Sequence, residues 1–182
     1  MILIVDMNHK KDSLGFYEFV LPIASAIKDF EEYTVRHYSD LSQTDIDKCS
    51  RIILSGNALE DKKALTKIED FAWISSCEKP ILGICAGMQA ISLFFGSTMR
   101  NCLEIGMTQI KTLKENPLFS SSFKAYELHS YSVQLSHELD VLAESKKCAQ
   151  AMKHKEKEIY GVLFHPEVRN REMIKRFALV TI

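Results

Sequence analysis

The sequence has no excess of either charge. Its 23 lysines and arginines are balanced by 24 aspartates and glutamates, which gives a net charge of −1 over 182 residues. A chain so close to neutral creates no long-range field that would attract a polyanion or an anionic lipid surface. We therefore expect neither nucleic acid nor membrane among its partners.

An apolar segment that could span a bilayer is also missing. Residues 80–99 carry no charge, but Pro80, Gly83, Gly87 and Gly96 interrupt them, which suits a strand, a turn and a buried helix better than a membrane span. The apolar N-terminus has no basic residues ahead of it and is broken at Asp6, so we do not interpret it as a signal peptide. We expect a cytoplasmic protein.

The cysteines lack the spacings of metal sites and disulfide frameworks. Five of them occur, with no CxxC pair, and an odd number favours reduced thiols over a disulfide framework. Four histidines are isolated and have no partner at a metal-ligand spacing. These are His9, His37, His137 and His154. We expect no metal and no cofactor.

Short apolar runs alternate with helical patterns in the first half of the chain, as is typical of βαβ units around a parallel sheet. The runs that we predict as strands are residues 2–5, 33–38, 51–54 and 80–84. The last of them is apolar on both faces, as in a central strand covered by helices on each side. The sequence therefore predicts an α/β fold, a three-layer sandwich with a mostly parallel central sheet.

Helical spacing separates these strands. Residues 16–30 have one apolar face, and Pro22 is expected to kink this helix or to lie near its start. Asp61 is predicted to begin another helix, because apolar residues follow at helical intervals. Its stripe consists of Ala64, Ile68, Phe71 and Ala72. Residues 86–95 form a third predicted helix, apolar nearly all round and closed by Gly96.

The pattern changes after Thr98 to shorter strands, with turn signals at residues 116–117 and 120–122. This change predicts a small antiparallel extension of the sheet. A last strand is expected at residues 159–164 and a closing helix at about residues 169–179. Because no linker or internal repeat is present, we expect residues 1–182 to form one domain.

Cys85 lies in a segment with the spacing of a nucleophile elbow. The residues 83–87, GICAG, match G-x-nucleophile-x-G, in which a strained turn from strand to helix exposes the central side chain. The two glycines would remove side chains that collide with the neighbouring strand and helix. Unpaired amides at the helix N-terminus would favour the thiolate. The alternative is a cysteine that only fills space in the core.

A second candidate segment is His165-Pro166-Glu167, directly after the last predicted strand. The end of that strand would lie at the same carboxyl edge of the sheet as Cys85, where clefts form in open α/β sheets. His165 could take the proton of the thiol, and Glu167, two residues on in an extended segment, could hold the other ring nitrogen. Considered alone, the tripeptide could equally form a turn with a solvated glutamate.

Together, LGICAGMQ at residues 82–89 and YGVLFHPEV at residues 160–168 resemble the class I glutamine amidotransferases, the triad-type glutaminases that feed ammonia to synthetases. The opening strand, the LSG turn at residues 54–56, the elbow and the HPE tripeptide occur in the family's order. Residues 148–168 are most similar to the separate glutaminase subunit of two-subunit GMP synthases.

The resemblance implies a role for each residue of a catalytic triad. Cys85 would attack the side-chain amide of glutamine and form a thioester. His165 would protonate the departing ammonia and then activate water. Glu167 would orient the imidazole and stabilise its charge.

The resemblance also implies an oxyanion hole and a glutamine site. The oxyanion hole would consist of amides from the turn at Gly56 and Asn57 and from Ala86. The residues implied in glutamine binding are Gln89, Ser130 and Tyr131, the last two following a mid-chain histidine. Family members usually continue the turn with a second glycine and a proline, whereas Asn57 and Ala58 stand here.

The sequence contains no GxxxxGK[ST] phosphate loop, and the amidotransferase pattern covers nearly the whole chain. ATP chemistry would then belong to a separate synthetase subunit, expected to be of the ATP-pyrophosphatase type. Two alternatives stay open. The His129-Ser130 pair is closer to the amidotransferases of anthranilate and aminodeoxychorismate synthesis, and the altered turn would suit a non-catalytic glutamine-binding or regulatory paralogue.

Overall fold

The computed structural model describes residues 1–179, in which nine strands form one mixed sheet. The strands are β1 (Ile2–Asp6), β2 (Tyr33–His37), β3 (Arg51–Leu54), β4 (Ile81–Ile84), β5 (Thr98–Thr112), β6 (Phe123–Gln134), β7 (Leu139–Glu144), β8 (Ala149–His154) and β9 (Ile159–Val162). The α-helices are α1 (Leu21–Ile27), α2 (Gln43–Lys48), α3 (Trp73–Ser76), α4 (Ala86–Phe94), α5 (Pro166–Arg169) and α6 (Arg171–Leu179).

The strand order across the sheet is β2-β1-β3-β4-β9-β8-β7-β5-β6. The first five strands in this order are parallel, and the remaining neighbours pair antiparallel. The prediction of an α/β fold with a parallel centre and an antiparallel extension is therefore confirmed. None of the helices within residues 1–179 has the length and apolarity needed to cross a membrane.

Helices cover both faces of the parallel strands, because successive side chains of a buried strand point to opposite sides. On one face, Ile2 and Ile4 of β1 pack in a buried cluster with residues of α1 and α6. On the other face, Leu3 and Val5 belong to a cluster with residues of α2, α3 and α4. This arrangement buries the central strands completely and fixes the edge of the sheet where they end.

The helix predicted from Asp61 is wrong. Two 3₁₀ turns, Lys63–Thr66 and Ile68–Phe71, precede the short α3. Lys67 between them has φ −132° and ψ 66°, outside the helical region. The Asp61 carboxylate accepts hydrogen bonds from the amides of His9 and Lys63 and so holds the local backbone in a turn. Ala72, predicted on the buried stripe, is exposed.

The antiparallel part is larger than the sequence predicted. In place of short strands, β5 has 15 residues and β6 has 12, and the two form a long ribbon. Intermediate and exposed residues follow one another along β5, so its apolar pattern is too weak to reveal the strand's length. The strand predicted at residues 159–164 ends at Val162, and the closing helix begins at Arg171 after the short α5.

We predict that the layer between β1, α1 and α6 contributes strongly to stability. Ile4→Ala, at a fully buried position, is expected to lower the free energy of unfolding by about 2–5 kcal/mol, because it removes packed methyl groups and leaves a cavity. Urea denaturation measures the loss. The matched control is Ile105→Ala on β5, where the side chain is 59% exposed and the expected change is within about 0.5 kcal/mol. Equal losses at the two positions would contradict this assignment.

Candidate active site

The sharp turn between β4 and α4 puts Cys85 in a strained backbone conformation. Cys85 has φ 48° and ψ −103° and is the N-cap of α4. Its amide donates to the Val162 carbonyl at 2.8 Å, which ties the turn to β9. A positive φ at a non-glycine residue is costly and persists only where the surrounding structure holds it. This backbone geometry is that of a nucleophile elbow, but the Cys85 side chain, expected to be exposed, is only 4% exposed.

Both glycines beside Cys85 are required by space. A Cβ atom on Gly83 would lie 2.5 Å from the carbonyl carbon of Gly87, in the first turn of α4. A Cβ atom on Gly87 would lie 2.5 Å from the Leu54 carbonyl oxygen at the end of β3. These contacts are with backbone, which cannot move aside cheaply. The collisions expected from the sequence, with the helix and with the neighbouring strand, are the ones that the fold shows.

His165 lies at the same edge of the sheet as Cys85. Strands β4 and β9 are parallel, with Ile84 paired to Val162, so both residues follow the carboxyl ends of adjacent strands. The His165 amide donates to the Tyr126 carbonyl at 2.9 Å, and its ring centroid lies 5.4 Å from that of Phe19. The side chain is 1% exposed.

Gly56, after β3, permits Cys85 and His165 to approach each other. A Cβ atom on Gly56 would lie 2.7 Å from Cε1 of His165 and 3.4 Å from Cβ of Cys85. The side chains of Cys85 and His165 therefore both lie next to the space that a Cβ atom on residue 56 would fill. Gly56 does not have a positive φ. The lack of a side chain at Gly56 therefore provides room for the imidazole.

Glu167 holds the imidazole from the other side. Nδ1 of His165 lies 2.7 Å from Oε1 of Glu167, and both side chains are buried. The contact expected from the sequence is present, but the extended segment expected between them is not, because Pro166 begins α5 and Glu167 lies in its first turn. Nε2 of His165 is buried and has no hydrogen-bond partner among the described residues, so it is the free nitrogen on the Cys85 side.

Opposite influences act on the pKa of His165. Burial is the largest of them and lowers this pKa, because it disfavours the charged ring. The negative charges of Cys85 and Glu167 on either side together outweigh burial and raise the pKa well above its ordinary value. The arrangement therefore favours the protonated form of the His165 ring, between Cys85 and Glu167.

Three backbone amides next to Cys85 make no hydrogen bond within the described residues. The amides of Gly56, Asn57 and Ala86 donate to no acceptor within residues 1–179. The Asn57 side chain is buried and donates to the carbonyls of Met7 at 3.2 Å and Asp61 at 2.9 Å. Asn57 also keeps an ordinary negative φ. Its amide side chain thus anchors the turn at the position where the family usually has a second glycine.

A cleft beside Cys85 contains the residues implied in glutamine binding. Gln89 Nε2 donates to the Tyr131 carbonyl at 2.8 Å, which joins α4 to β6. Ser130 Oγ lies 3.4 Å from Glu60 Oε1, and Lys62 Nζ lies 3.9 Å from the centre of the Tyr131 ring. The structure therefore brings Cys85, Gln89, Ser130 and Tyr131 to one cleft.

Sequence reasoning missed part of the cleft wall. Leu59, Lys62 and Leu65, from the segment after β3, and Met99 and Leu128, from the ribbon, also line it. No motif marks these residues, because their position depends on the ribbon and the irregular segment meeting above α4. In this irregular segment, Lys62 lies over the Tyr131 ring and lines the cleft.

Comparison with known proteins shows to which family the chain belongs. The family model described as Glutamine amidotransferase class-I matches residues 16–179. The chain belongs to the class-I glutamine amidotransferase family. A relative from Methanocaldococcus jannaschii, named as a subunit of glutamine-hydrolyzing GMP synthase, is 41% identical over 112 residues, 56% of this chain and 60% of that protein. The protein of the same name from Pyrococcus furiosus is 36% identical over 145 residues, 71% of this chain and 74% of that protein.

The chain spans less than two thirds of the length of some curated relatives, 60% for M. jannaschii and 56% for Methanosphaera stadtmanae.

Solved structures of other proteins share the fold. A Thermoplasma acidophilum protein, provisionally described as part of a GMP synthase, aligns with a TM-score of 0.83 at 24% identity, covering 97% of this chain and 92% of that one. A Thermotoga maritima glutamine amidotransferase aligns with a TM-score of 0.72 at 20% identity, covering 97% and 80%.

We predict that His165 keeps its proton above pH 7. In an NMR titration of the ring Cε1 proton, the midpoint is expected well above that of a free histidine. Cys85→Ala and Glu167→Gln should each lower the midpoint, because each removes a group that raises the pKa of His165 against the effect of burial. Since the folded-state pKa exceeds the unfolded one, the stability that this proton contributes is complete below about pH 6.5 and is lost as pH rises through the folded-state pKa. A midpoint below 6.5 in the unsubstituted protein would contradict this assignment.

Proposed function

We propose that this chain is a glutaminase subunit that hydrolyses glutamine through a thioester on Cys85 and delivers ammonia to a separate synthetase. The observation that carries the proposal is Cys85 on a strained elbow beside the buried pair of His165 and Glu167. A nucleophile, a base and a group that orients the base are the parts that covalent acyl transfer needs. A cleft with polar groups opens beside them.

The first half-reaction follows from the positions of these groups. The Cys85 thiolate adds to the side-chain carbonyl carbon of glutamine, and the resulting oxyanion faces the free amides of Ala86 and the turn at Gly56 and Asn57. His165 gives its proton to the amide nitrogen as the carbon–nitrogen bond breaks. Ammonia leaves, and a glutamyl thioester stays on the sulfur.

The second half-reaction uses the same groups in reverse. His165, now neutral, takes a proton from water, and the hydroxide adds to the thioester carbon. The carbon–sulfur bond breaks, the product leaves and gives its new carboxyl proton to solvent to become glutamate, and the thiolate–imidazolium pair is restored. Glu167 stabilises the charge on the imidazole throughout, and its 2.7 Å contact with Nδ1 keeps Nε2 directed to the reacting atoms.

We infer that the ammonia acceptor belongs to an ATP-pyrophosphatase-type subunit of GMP synthase. The relatives from Methanocaldococcus jannaschii and Pyrococcus furiosus, 41% and 36% identical, are both named as subunits of that enzyme. A glutaminase of this kind would leave ATP activation to its partner, in agreement with the lack of a GxxxxGK[ST] loop in this sequence.

We predict that Cys85→Ala abolishes glutamate release from glutamine, with a loss of about 10⁴-fold or more in kcat. The control is Cys77→Ala, which makes the same change at another buried cysteine outside the cleft and should retain activity. Labelling by a glutamine-analogue electrophile should follow the same pattern. If Cys85 stays unlabelled with and without a synthetase subunit, the chain is a non-catalytic paralogue and the proposal fails.

Assignment of the partner needs a coupled assay. Mixed with an ATP-pyrophosphatase subunit, XMP and ATP, the chain should support GMP formation from glutamine. With Cys85→Ala, GMP should form from an ammonium salt but not from glutamine, because the synthetase itself is unaffected. A chain that hydrolyses glutamine but gives no GMP would refute the GMP synthase assignment alone. Activation by a chorismate-binding subunit would instead support the alternative favoured by His129 and Ser130.

A further inference from the structure

A second group of reactive side chains lies behind the glutamine cleft. Cys102 and Glu104 on β5 and Cys148 before β8 bring two sulfur atoms and a carboxylate oxygen within 4.8 Å of one another. Glu104 and Cys148 are buried, and Cys102 is half-buried. Spacing along the sequence predicted reduced thiols and no metal, but the fold places two of these thiols beside one carboxylate.

The Glu104 carboxylate is the centre of this cluster. Its Oε2 accepts from Cys148 Sγ at 3.3 Å, from Ser145 Oγ at 3.0 Å and from Gln150 Nε2 at 2.8 Å. In a tetrahedral zinc site, with Zn–S of about 2.3 Å and Zn–O of about 2.0 Å, sulfur and oxygen ligands lie about 3.5 Å apart. The 3.3 Å between Cys148 Sγ and Glu104 Oε2, spanned here by a hydrogen bond, is close to that spacing.

His129 adds a buried nitrogen atom beside this group. Its side chain is 1% exposed, and Nδ1 donates to the Cys102 carbonyl at 2.9 Å, because a carbonyl only accepts. Nε2 has no hydrogen-bond partner in the described chain and lies 3.5 Å from Glu104 Oε2 and 3.2 Å from Glu127 Oε2. An unpartnered and buried polar side chain is therefore directed at the Glu104 carboxylate.

We propose that Cys102, Cys148 and Glu104 bind a thiolate-preferring divalent cation of the Zn²⁺ class. Two sulfurs and one oxygen leave a fourth position, as in zinc sites that keep a water or a further ligand. Glu104 and Ser145 also line a surface cavity, together with Met107 and Lys147, so the carboxylate side of the cluster lies next to solvent. His129 and Gln150 would orient the carboxylate as its buried neighbours.

Charge balance is compatible with this burial. Binding replaces two thiol protons, which pass to solvent, by one divalent cation, so the net charge of the cluster does not change. The buried site therefore gains no uncompensated charge. The negative charge that faces His129 is at the same time drawn toward the metal.

The site would hold the backbone that supports the glutamine cleft. The register of β5 against β6 shifts between Asn101 and Glu104, so Cys102 and Leu103 stand opposite Ser130. Such bulges redirect the chain, and here the Cys102 carbonyl also fixes His129, directly before Ser130. A metal that joins Cys102 to Cys148 would clamp this bulge to the turn before β8.

The test uses the full chain with Cys85→Ala, which removes the active-site thiol as a competing ligand and makes the result independent of glutaminase activity. Equilibrium dialysis with Zn²⁺, and thiolate charge-transfer absorption with Cd²⁺, are measured under a phosphine reductant. We expect one equivalent to bind. In this background Cys102→Ser and Cys148→Ser should each weaken binding by about 100-fold or more. Cys77→Ser, at a buried cysteine elsewhere, should not.

Absence of stoichiometric binding, or equal binding by the Cys102→Ser variant, would overturn the proposal. Circular dichroism shows whether each variant folds. If Cys148→Ser does not fold, the half-buried Cys102 decides the question, since its substitution disturbs the core least. Glu104→Gln, which keeps the size of the side chain, adds a test of the oxygen ligand. It should also weaken binding without loss of the Cd²⁺–thiolate absorption at saturating metal.

Discussion

The parallel pairing of β4 with β9 is the interaction on which the site depends. Ile84 is paired with Val162, and the Cys85 amide donates to the Val162 carbonyl, so two segments from distant parts of the sequence end side by side. Both strands are fully buried and covered by helices, which leaves little freedom for a shift in register. A slip by one residue would turn these side chains to the opposite faces and carry His165 away from Cys85.

The strain at Cys85 is tolerable because backbone surrounds it closely. An unfavourable φ costs on the order of 1–3 kcal/mol, and the packed layers on both sides of β4 offset that cost. Residues 83 and 87 must be glycine in this turn, since any Cβ there would meet the backbone of α4 or β3. A Cβ atom on Gly56 would likewise collide with the imidazole of His165. The rigid fold thus keeps the reactive groups at a fixed distance from one another.

The elbow and the parallel strands were predicted from the sequence, because each of them depends on residues that are close together in the chain. The contact between His165 and Glu167 was predicted, but with an extended backbone. His165 is the N-cap before α5, with φ −104° and ψ 88°, and these non-helical angles let its ring meet the carboxylate two residues later. The neighbourhood of Cys102 and Cys148 could not be predicted, since it depends on a bulge in β5 and on the pairing of distant strands.

Strand β6 connects the candidate active site with the cluster behind it. The Tyr126 carbonyl holds the His165 amide, and the Leu128 carbonyl lies 3.8 Å from the Cys85 sulfur. Glu127 lies between these two residues in sequence, is fully buried and contacts His129. Burial raises the pKa of Glu127, and the neighbouring His129 opposes that rise. The charge on His165 lowers this pKa as well, though less than His129 does. Glu127 is therefore within electrostatic reach of both histidines, because buried charges interact through a medium of low dielectric constant.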